Sequence, residues 1–198
     1  MNKDFDNEMF YENQELIELV EKLKNNDMNF NVVKDNICTF DAECIERGIT
    51  YKTFLNKFVH MSNNKLKITD IQIDDFDDME MEDFDFDHFG MDEDIDIEEF
   101  DFCMEEGAII GIDFKINGKL TSIEVEFAYD WFNDEFIYKI NEKLKELNQD
   151  KYLWFSNCAE ECNIIYASQE NINKINGEMK TNKKFACYTP FVTKGERI

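Results

Sequence analysis

The centre of the chain, residues 108–127, reads AIIGIDFKINGKLTSIEVEF. The pair Asn117-Gly118 favours a two-residue type I′ turn, because both turn positions need a positive φ. This turn fixes a register for the strands on either side. The facing pairs are Ile116–Lys119, Phe114–Thr121, Ile112–Ile123, Ile110–Val125 and Ala108–Phe127. Because apolar partners recur on one face while Asp113, Lys115, Glu124 and Glu126 fall on the other, the stretch predicts a β-hairpin covered on one side.

Further helices and strands are predicted on both sides of this hairpin. Apolar residues at helical spacing predict helices over 13–25 with Asn13 as cap, from Thr50 to about Ser62, from Asp130 to about Leu147, and from Ser168 to about Gly177. Short β-prone runs predict strands at 30–33, 37–40, 65–73, 152–155, 163–166 and 185–188. The C-terminal half then has the order β-β-α-β-β-α-β, which predicts an α+β fold: an antiparallel sheet with helices packed on one face.

The length and composition favour one globular domain spanning 1–198. A hydrophobic content of 43% and nineteen phenylalanines are enough for a core, unlike the composition of a disordered chain. No Pro-, Gly- or Ser-rich linker marks a boundary. An acidic, Phe-rich segment at 68–106 lies within this domain as an insertion or as edge strands.

The charge of the protein is concentrated in this segment and its immediate surroundings. Residues 68–114 contain no Lys or Arg, while twenty of the forty-seven are Asp or Glu, so they carry about -20 of the formal -24. Acidic and apolar residues alternate, as in 83–87 (DFDFD) and 94–98 (DIDIE). In an extended chain this period puts the carboxylates on one face, roughly 6.6 to 6.8 Å apart, and the apolar side chains on the other.

A row of carboxylates imitates a row of phosphates and speeds the encounter with a basic protein. Nearby phenylalanines would anchor the contact. The predicted partner-binding residues are Asp83, Phe84, Asp85, Phe86, Asp87, Asp92, Asp94, Asp96, Glu98, Glu99 and Asp101. Direct nucleic-acid binding is disfavoured, because it needs clustered Lys and Arg and this chain has a pI of about 4.3.

These features lead to a functional hypothesis. We expect a non-enzymatic inhibitor that binds the basic surface of a nuclease or another nucleic-acid-binding protein. Two settings fit equally: an immunity protein against a nuclease toxin, and a phage-encoded inhibitor of a defence nuclease. The sequence contains no Gly-rich phosphate loop and no hydrolase or dinucleotide motif, so neither an enzyme nor a cofactor is predicted. An enzyme would instead need a carboxylate of raised pKa in a concave site.

Calcium binding by the acidic segment is the main alternative. An EF-hand loop needs acids or Asn at positions 1, 3 and 5, Gly at 6 and Glu at 12. A loop starting at Asp85 has Phe89 at position 5, and one starting at Asp83 has His88 at position 6, so the motif fails in both registers. The compositions of 74–82 and 90–93 are also typical of disorder.

The cysteines and the N-terminal residues bear on location. The first residues have neither the basic nor the apolar region of an export signal, and no apolar run approaches about 18 residues. We therefore expect a cytoplasmic protein in which the six cysteines are free thiols, mostly buried. Cys158 and Cys162 have metal-like spacing, but His60 and His88 complete no four-ligand set, so no zinc site is predicted.

Overall fold

The computed structural model describes residues 9–42, 47–74, 109–126 and 132–193. These ranges form a mixed α+β structure with four α-helices and two three-stranded antiparallel sheets. The helices are α1 (Gln14–Asn26), α2 (Arg47–Met61), α3 (Glu135–Glu146) and α4 (Gln169–Thr181). The strands are β1 (Ile37–Asp41), β2 (Ile68–Asp74), β3 (Ile109–Ile116), β4 (Lys119–Glu126), β5 (Tyr152–Cys158) and β6 (Glu161–Ala167).

The strands form two sheets rather than the one that the sequence pattern predicted. Sheet I has the order β1-β6-β5, and sheet II has the order β2-β3-β4. Sheet I is apolar on both faces, because neighbouring positions such as Ile164 and Ile165 are both buried and contribute to two different clusters. One face packs on α1 and α4, and the other packs on α2 and α3.

The inner face of sheet II closes the same core from the far side. Ile112, Phe114 and Ile123 belong to the cluster that contains Phe54 of α2 and Phe136 of α3. The described residues therefore stack in four layers: α1 with α4, sheet I, α2 with α3, and sheet II. No described element covers the outer face of sheet II.

The central hairpin is confirmed in register. Ile116, Phe114, Ile112 and Ile110 pair with Lys119, Thr121, Ile123 and Val125, as the turn predicts. Asn117 and Gly118 have φ values of 51° and 82°, the two positive values that a type I′ turn requires. The outermost predicted pair, Ala108–Phe127, lies outside the described residues.

Helix positions are confirmed, with corrections at three ends. Asn13 caps α1, its Oδ1 accepting from the Leu16 amide at 3.1 Å. Thr50 is not a cap, since α2 begins at Arg47, and α3 begins only at Glu135. Gly177 does not end α4, which continues to Thr181 because buried Met179 extends its apolar stripe.

Two predicted strands are wrong, and one predicted loop is shorter than expected. Residues 30–33 are irregular and lead into a 3-10 helix, Lys34–Asn36; a second, Lys183–Phe185, replaces the start of the strand predicted at 185–188. β5 and β6 run longer than predicted and are joined by Ala159 and Glu160 alone. The described C-terminal half therefore has the order β-β-α-β-β-α.

Candidate functional site

The predicted partner-binding residues lie outside the part of the chain that the structure describes. All of them fall within 75–108, the connection between β2 and β3; they are Asp83, Phe84, Asp85, Phe86, Asp87, Asp92, Asp94, Asp96, Glu98, Glu99 and Asp101. The geometry that bears on them is that of the two strands from which this connection leaves and to which it returns.

Both ends of this connection are fixed at the same end of sheet II. Strands β2 and β3 are antiparallel neighbours, and the last residue of β2, Asp74, pairs with Gly111 near the start of β3. Ile109 in turn pairs with Glu126, the last residue of β4. The end of the sheet where the acidic connection is attached therefore already carries two carboxylates from the strands.

The outer face of sheet II is also acidic. Asp74, Asp113, Glu124 and Glu126 occupy outward-facing positions, and all but the half-buried Asp113 are exposed. Asp74 and Glu124 flank Gly111 in one row across the three strands, so no side chain separates them. Strands lie about 4.7 to 4.9 Å apart, which puts the backbones that carry these two acids about 9.6 Å apart.

Two lysines contact the strands of this face: Lys115 of β3, and Lys139 of α3, whose Nζ donates to Glu124 O. Lys115 is the lysine of β3, and its Nζ lies 2.7 Å from Asp70 Oδ2 at the bulge of β2. Other lysine–carboxylate pairs of the described residues connect α1 and its C-terminal end with α4, behind sheet I. There Lys22 Nζ is 2.6 Å from Glu178 Oε2, and Lys174 Nζ is 2.6 Å from Asp27 Oδ2.

Two large apolar side chains interrupt the acidic face. Leu120 is 72% exposed and Ile109 is 46% exposed, although both belong to strands whose inward residues are fully buried. Isolated exposed apolar residues are common on protein surfaces. Ile109 lies at the end of the sheet where the connection is attached, and Leu120 lies at the other end, next to the turn between β3 and β4.

Metal ligation finds no support in the described ranges. No group of three or more His, Cys, Asp or Glu side chains in them could hold a metal ion. His60 is exposed in the last turn of α2, and His88 lies outside the described residues. Among the described helices, none has the length and apolar character of a membrane span.

A second group of polar residues surrounds the Glu161 carboxylate on sheet I. Glu161 Oε2 accepts from Tyr11 Oη at 3.1 Å, and Oε1 lies within hydrogen-bond distance of Asn13 Nδ2 (2.8 Å), Asn163 Nδ2 (3.0 Å) and Tyr188 Oη (3.2 Å). We call these five residues the Glu161 cluster. Burial, followed by the nearby Glu161 carboxylate, raises the pKa of Tyr11, and burial also raises that of Tyr188.

This cluster joins parts of the chain that are about 150 residues apart, so no sequence motif indicated it. Asn163 is fully buried, and its Oδ1 accepts from Thr39 Oγ1 at 2.9 Å and from Asn13 Nδ2 at 3.1 Å. Beside it, a hollow of about 240 Å³ is lined by Phe10, Tyr11, Glu12, Asn13, Ile17, Lys34, Asp35, Ile37 and Lys57. Since its charges are mixed, the hollow favours no ligand class.

The expectation that all six cysteines are free is wrong. Cys158 and Cys187 form a disulfide, with their Cα atoms 5.2 Å apart. Cys38 and Cys162 are free and buried, as expected, and burial raises the pKa of the Cys162 thiol to about 12. Spacing alone could not reveal the bond, because residues 159–186 must fold before the two sulfurs meet.

Comparison with known proteins adds no relative: no protein-family model, no curated protein and no solved structure matches the chain.

Proposed function

We propose that this protein is a non-enzymatic acidic inhibitor that occupies the basic, nucleic-acid-binding surface of a partner protein, such as a nuclease. One observation carries the proposal. The 34 residues that connect β2 to β3 contain seventeen Asp or Glu and no Lys or Arg, and both ends of this connection are fixed at the acidic end of sheet II.

Charge complementarity is the physical basis of the proposed binding. A nucleic-acid-binding surface holds Lys and Arg side chains at the spacing of phosphates, and duplex DNA presents one charge per about 1.7 Å of axis. A dense set of carboxylates competes for those side chains and raises the association rate at low salt. On the outer face of sheet II, Asp74 and Glu124 would continue the negative surface.

Apolar residues would supply the part of the affinity that salt does not remove. Phe84 and Phe86 alternate with acids in the connection, and Ile109 and Leu120 are exposed on the adjoining sheet. Aromatic anchors buried at the centre of the contact are typical of tight protein interfaces. The inhibitor would then act by exclusion, since a partner with its basic surface covered cannot take up nucleic acid.

The two biological settings remain those of the hypothesis: an immunity protein against a nuclease toxin or a phage-encoded inhibitor of a defence nuclease. Both place the encounter in the cytoplasm, where the partner meets nucleic acid. Disulfides in that compartment are usually transient. The Cys158–Cys187 bond would then form and break with the redox state of the cell.

The proposal is tested with two variants, which remove the same number of negative charges from different parts of the chain. In the test variant, Asp83, Asp85, Asp87, Asp94, Asp96 and Asp101 become Asn. In the matched control, six exposed acids elsewhere become Gln: Glu12, Glu18, Glu21, Glu142, Glu146 and Glu160. Each variant removes six negative charges from the formal -24 and leaves -18, so a difference between them reports position rather than net charge.

The wild-type chain is immobilised and exposed to a lysate of the native host at about 50 mM and about 500 mM NaCl, and the retained proteins are identified by mass spectrometry. Each retained basic protein is then purified and assayed for nucleic-acid binding or cleavage. We expect the wild type and the control to inhibit it, and the test variant to bind at least about tenfold more weakly.

Equal binding by both variants would contradict the proposal, as would a retained protein that keeps full activity in the complex. Adding calcium to the free protein tests the alternative function, calcium binding. No described residues form a metal group, and the alternative places calcium binding in the acidic segment. Ordering of the free chain by micromolar calcium would favour that alternative.

A further inference from the structure

The segment around Cys187 is a short surface strap between two buried anchors. Phe185 and Phe191 are 4% and 1% exposed and pack into the core that α1 and α4 share with sheet I. The residues between them, 186–190, lie at the surface: Tyr188 is half-buried and the other four are exposed. We call residues 186–190 the strap.

The strap lies along the outer edge of β5. The Thr189 amide donates to Asn157 O at 2.9 Å, the Asn157 amide donates to Thr189 Oγ1 at 3.0 Å, and Ser156 Oγ donates to Thr189 O at 2.6 Å. These bonds use backbone groups that an edge strand would otherwise present to solvent or to another chain. The strap thereby covers the second half of this edge.

The strap also covers the Glu161 cluster. Tyr188 Oη donates to Glu161 Oε1 at 3.2 Å and accepts from Asn13 Nδ2 at 2.8 Å. Asn13 is only 7% exposed and Asn163, behind it, is fully buried. Tyr188 thus supplies one donor to the half-buried Glu161 carboxylate and one acceptor to Asn13, while its ring packs beside Phe185 with the two centroids 5.3 Å apart.

One covalent bond reinforces these contacts, and it is accessible. Cys187 is exposed and Cys158 is half-buried at the end of β5, whereas the free cysteines Cys38 and Cys162 are 1% and 3% exposed. Exposed disulfides are the ones that thiol exchange reaches, because exchange needs attack of a thiolate on a sulfur. A reductant would therefore act on this bond without access to the two buried thiols.

We propose that the Cys158–Cys187 disulfide is a redox-controlled fastening of the strap, and that its reduction releases residues 186–190 from the edge of β5 and uncovers the Glu161 cluster. The reductant is a dithiol. Its first thiolate forms a mixed disulfide with one cysteine and frees the other; its second thiolate then displaces the remaining cysteine. Two electrons and two protons pass to Cys158 and Cys187, and the dithiol becomes a disulfide.

Only the strap moves, because its anchors do not depend on the disulfide. Phe191 is held by its burial and by Asn176, whose Nδ2 donates to Phe191 O at 3.0 Å and whose Oδ1 accepts from the Phe191 amide at 2.9 Å. The two bonds between Thr189 Oγ1 and Asn157, in contrast, are exposed and compete with water once the covalent link is gone; the bond from Ser156 Oγ to Thr189 O is part-buried. Opening therefore stops at Phe185 on one side and at Phe191 on the other.

Amide hydrogen exchange of the full chain, with and without dithiothreitol, tests this. We expect exchange at Asn157 and Thr189 to become at least about tenfold faster on reduction, while Phe191 and Ile165 change by less than about twofold. The double variant Cys158→Ser/Cys187→Ser should exchange like the reduced wild type, whether or not dithiothreitol is present. Tyr188→Phe, which keeps the disulfide, should still respond to it.

Three outcomes would overturn the proposal. Unchanged exchange at Asn157 and Thr189 would mean that the strap stays in place without its covalent bond. Faster exchange throughout, including Ile165, would mean that the disulfide maintains the whole fold. Alkylation of Cys158 and Cys187 by iodoacetamide in untreated native protein would mean that the bond does not form.

Discussion

At the scale of single residues, Asn163 joins the start of the described chain to its end. Its side chain is fully buried in β6 and bonds to Thr39 of β1, to the helix cap Asn13 and to Glu161. Tyr188 from the strap completes the group through Glu161 and Asn13. Both polar atoms of this buried side chain are hydrogen-bonded, so Asn163 fixes the relative position of four elements. An apolar residue of the same shape would leave its partners without hydrogen bonds.

Asn163→Ala should therefore be strongly destabilising. The change leaves the Thr39 hydroxyl, which is fully buried, without its acceptor and removes one of the donors to Glu161 Oε1. An unsatisfied buried group costs about 1 to 3 kcal/mol, so we expect a loss of about 1 to 3 kcal/mol in the free energy of unfolding, measured by urea denaturation.

Asn173→Ala is the matched control for this loss. Asn173 is exposed on α4 and accepts from Gln169 Nε2 at 2.9 Å, a bond that water replaces readily. A change within about 0.5 kcal/mol is expected, with Ala slightly favoured in a helix. A loss at Asn163 no larger than at Asn173 would show that the Glu161 cluster adds nothing to stability.

At the scale of elements, the two described glycines with no nearby side chain differ in backbone conformation. Gly118 in the turn between β3 and β4 has φ +82°, and Gly177 lies within α4. A Cβ added at either position would meet no atom within 4 Å, so sterics with the surroundings play no part. The backbone alone decides the effect of a substitution.

Changing glycine to alanine should therefore affect stability in opposite directions at these two sites. Gly118→Ala forces an L-residue into the left-handed region and should destabilise by about 1 to 2 kcal/mol. Gly177→Ala removes a flexible residue from a helix interior and should stabilise by about 0.5 to 1 kcal/mol. Thermal and urea unfolding of the two variants measure both effects, and two changes of equal sign would contradict the assigned conformations.

The same contrast explains what the sequence could predict. The register of β3 and β4 was predictable because Asn117-Gly118 restricts the turn to few conformations. The end of α4 was not, because a glycine can end a helix or lie within it, and only the burial of Met179 selects the second. Local chemistry decides elements when it leaves few conformations available.

Short apolar runs led to two wrong strand predictions for a related reason. Phe30 and Phe185 are buried, 2% and 4% exposed, as strand residues would be, yet neither lies in a strand. Apolarity predicts burial, while a strand also needs a partner with free backbone groups. Both faces of sheet I are buried, so residues next to it can be buried without joining it.

The Glu161 cluster and the disulfide were unpredictable because they depend on contacts distant in sequence. Asn13 and Asn163 are 150 positions apart, and Cys158 and Cys187 are 29 apart. The acidic connection, in contrast, was predictable from the sequence. The charge of 75–108 is visible in the sequence alone, and the described strands add where that charge is attached.

At the scale of the whole molecule, charge and fold oppose each other. The core of the described residues is extensive and its polar groups are bonded, while the chain carries a formal -24. Like charges that are brought together by folding repel, and that repulsion is felt most where the acids are densest. A protein kept for binding a basic partner would tolerate this cost, because the partner removes it on binding.

Screening by salt should therefore stabilise the free protein. The Debye length falls from roughly 30 Å at 0.01 M to about 4 Å at 0.5 M, so NaCl weakens repulsion among the acids. It also weakens the exposed lysine–carboxylate pairs, but these contribute little each. We expect the melting temperature to rise by about 3 to 6 °C, equivalent to about 1 to 2 kcal/mol for a chain of this size.

The two charge variants locate the source of that rise. The test variant, with six acids of the connection changed to Asn, should have a higher melting temperature at low salt and a smaller further rise with NaCl; the six are Asp83, Asp85, Asp87, Asp94, Asp96 and Asp101. The control variant, with six acids elsewhere changed to Gln, should respond to NaCl much as the wild type does. NaCl is used because sulfate and phosphate stabilise proteins by exclusion from the surface. A melting temperature that falls with NaCl would mean that attraction among surface charges outweighs repulsion. A far larger rise with CaCl₂ at matched ionic strength would instead favour specific cation binding by the acidic connection.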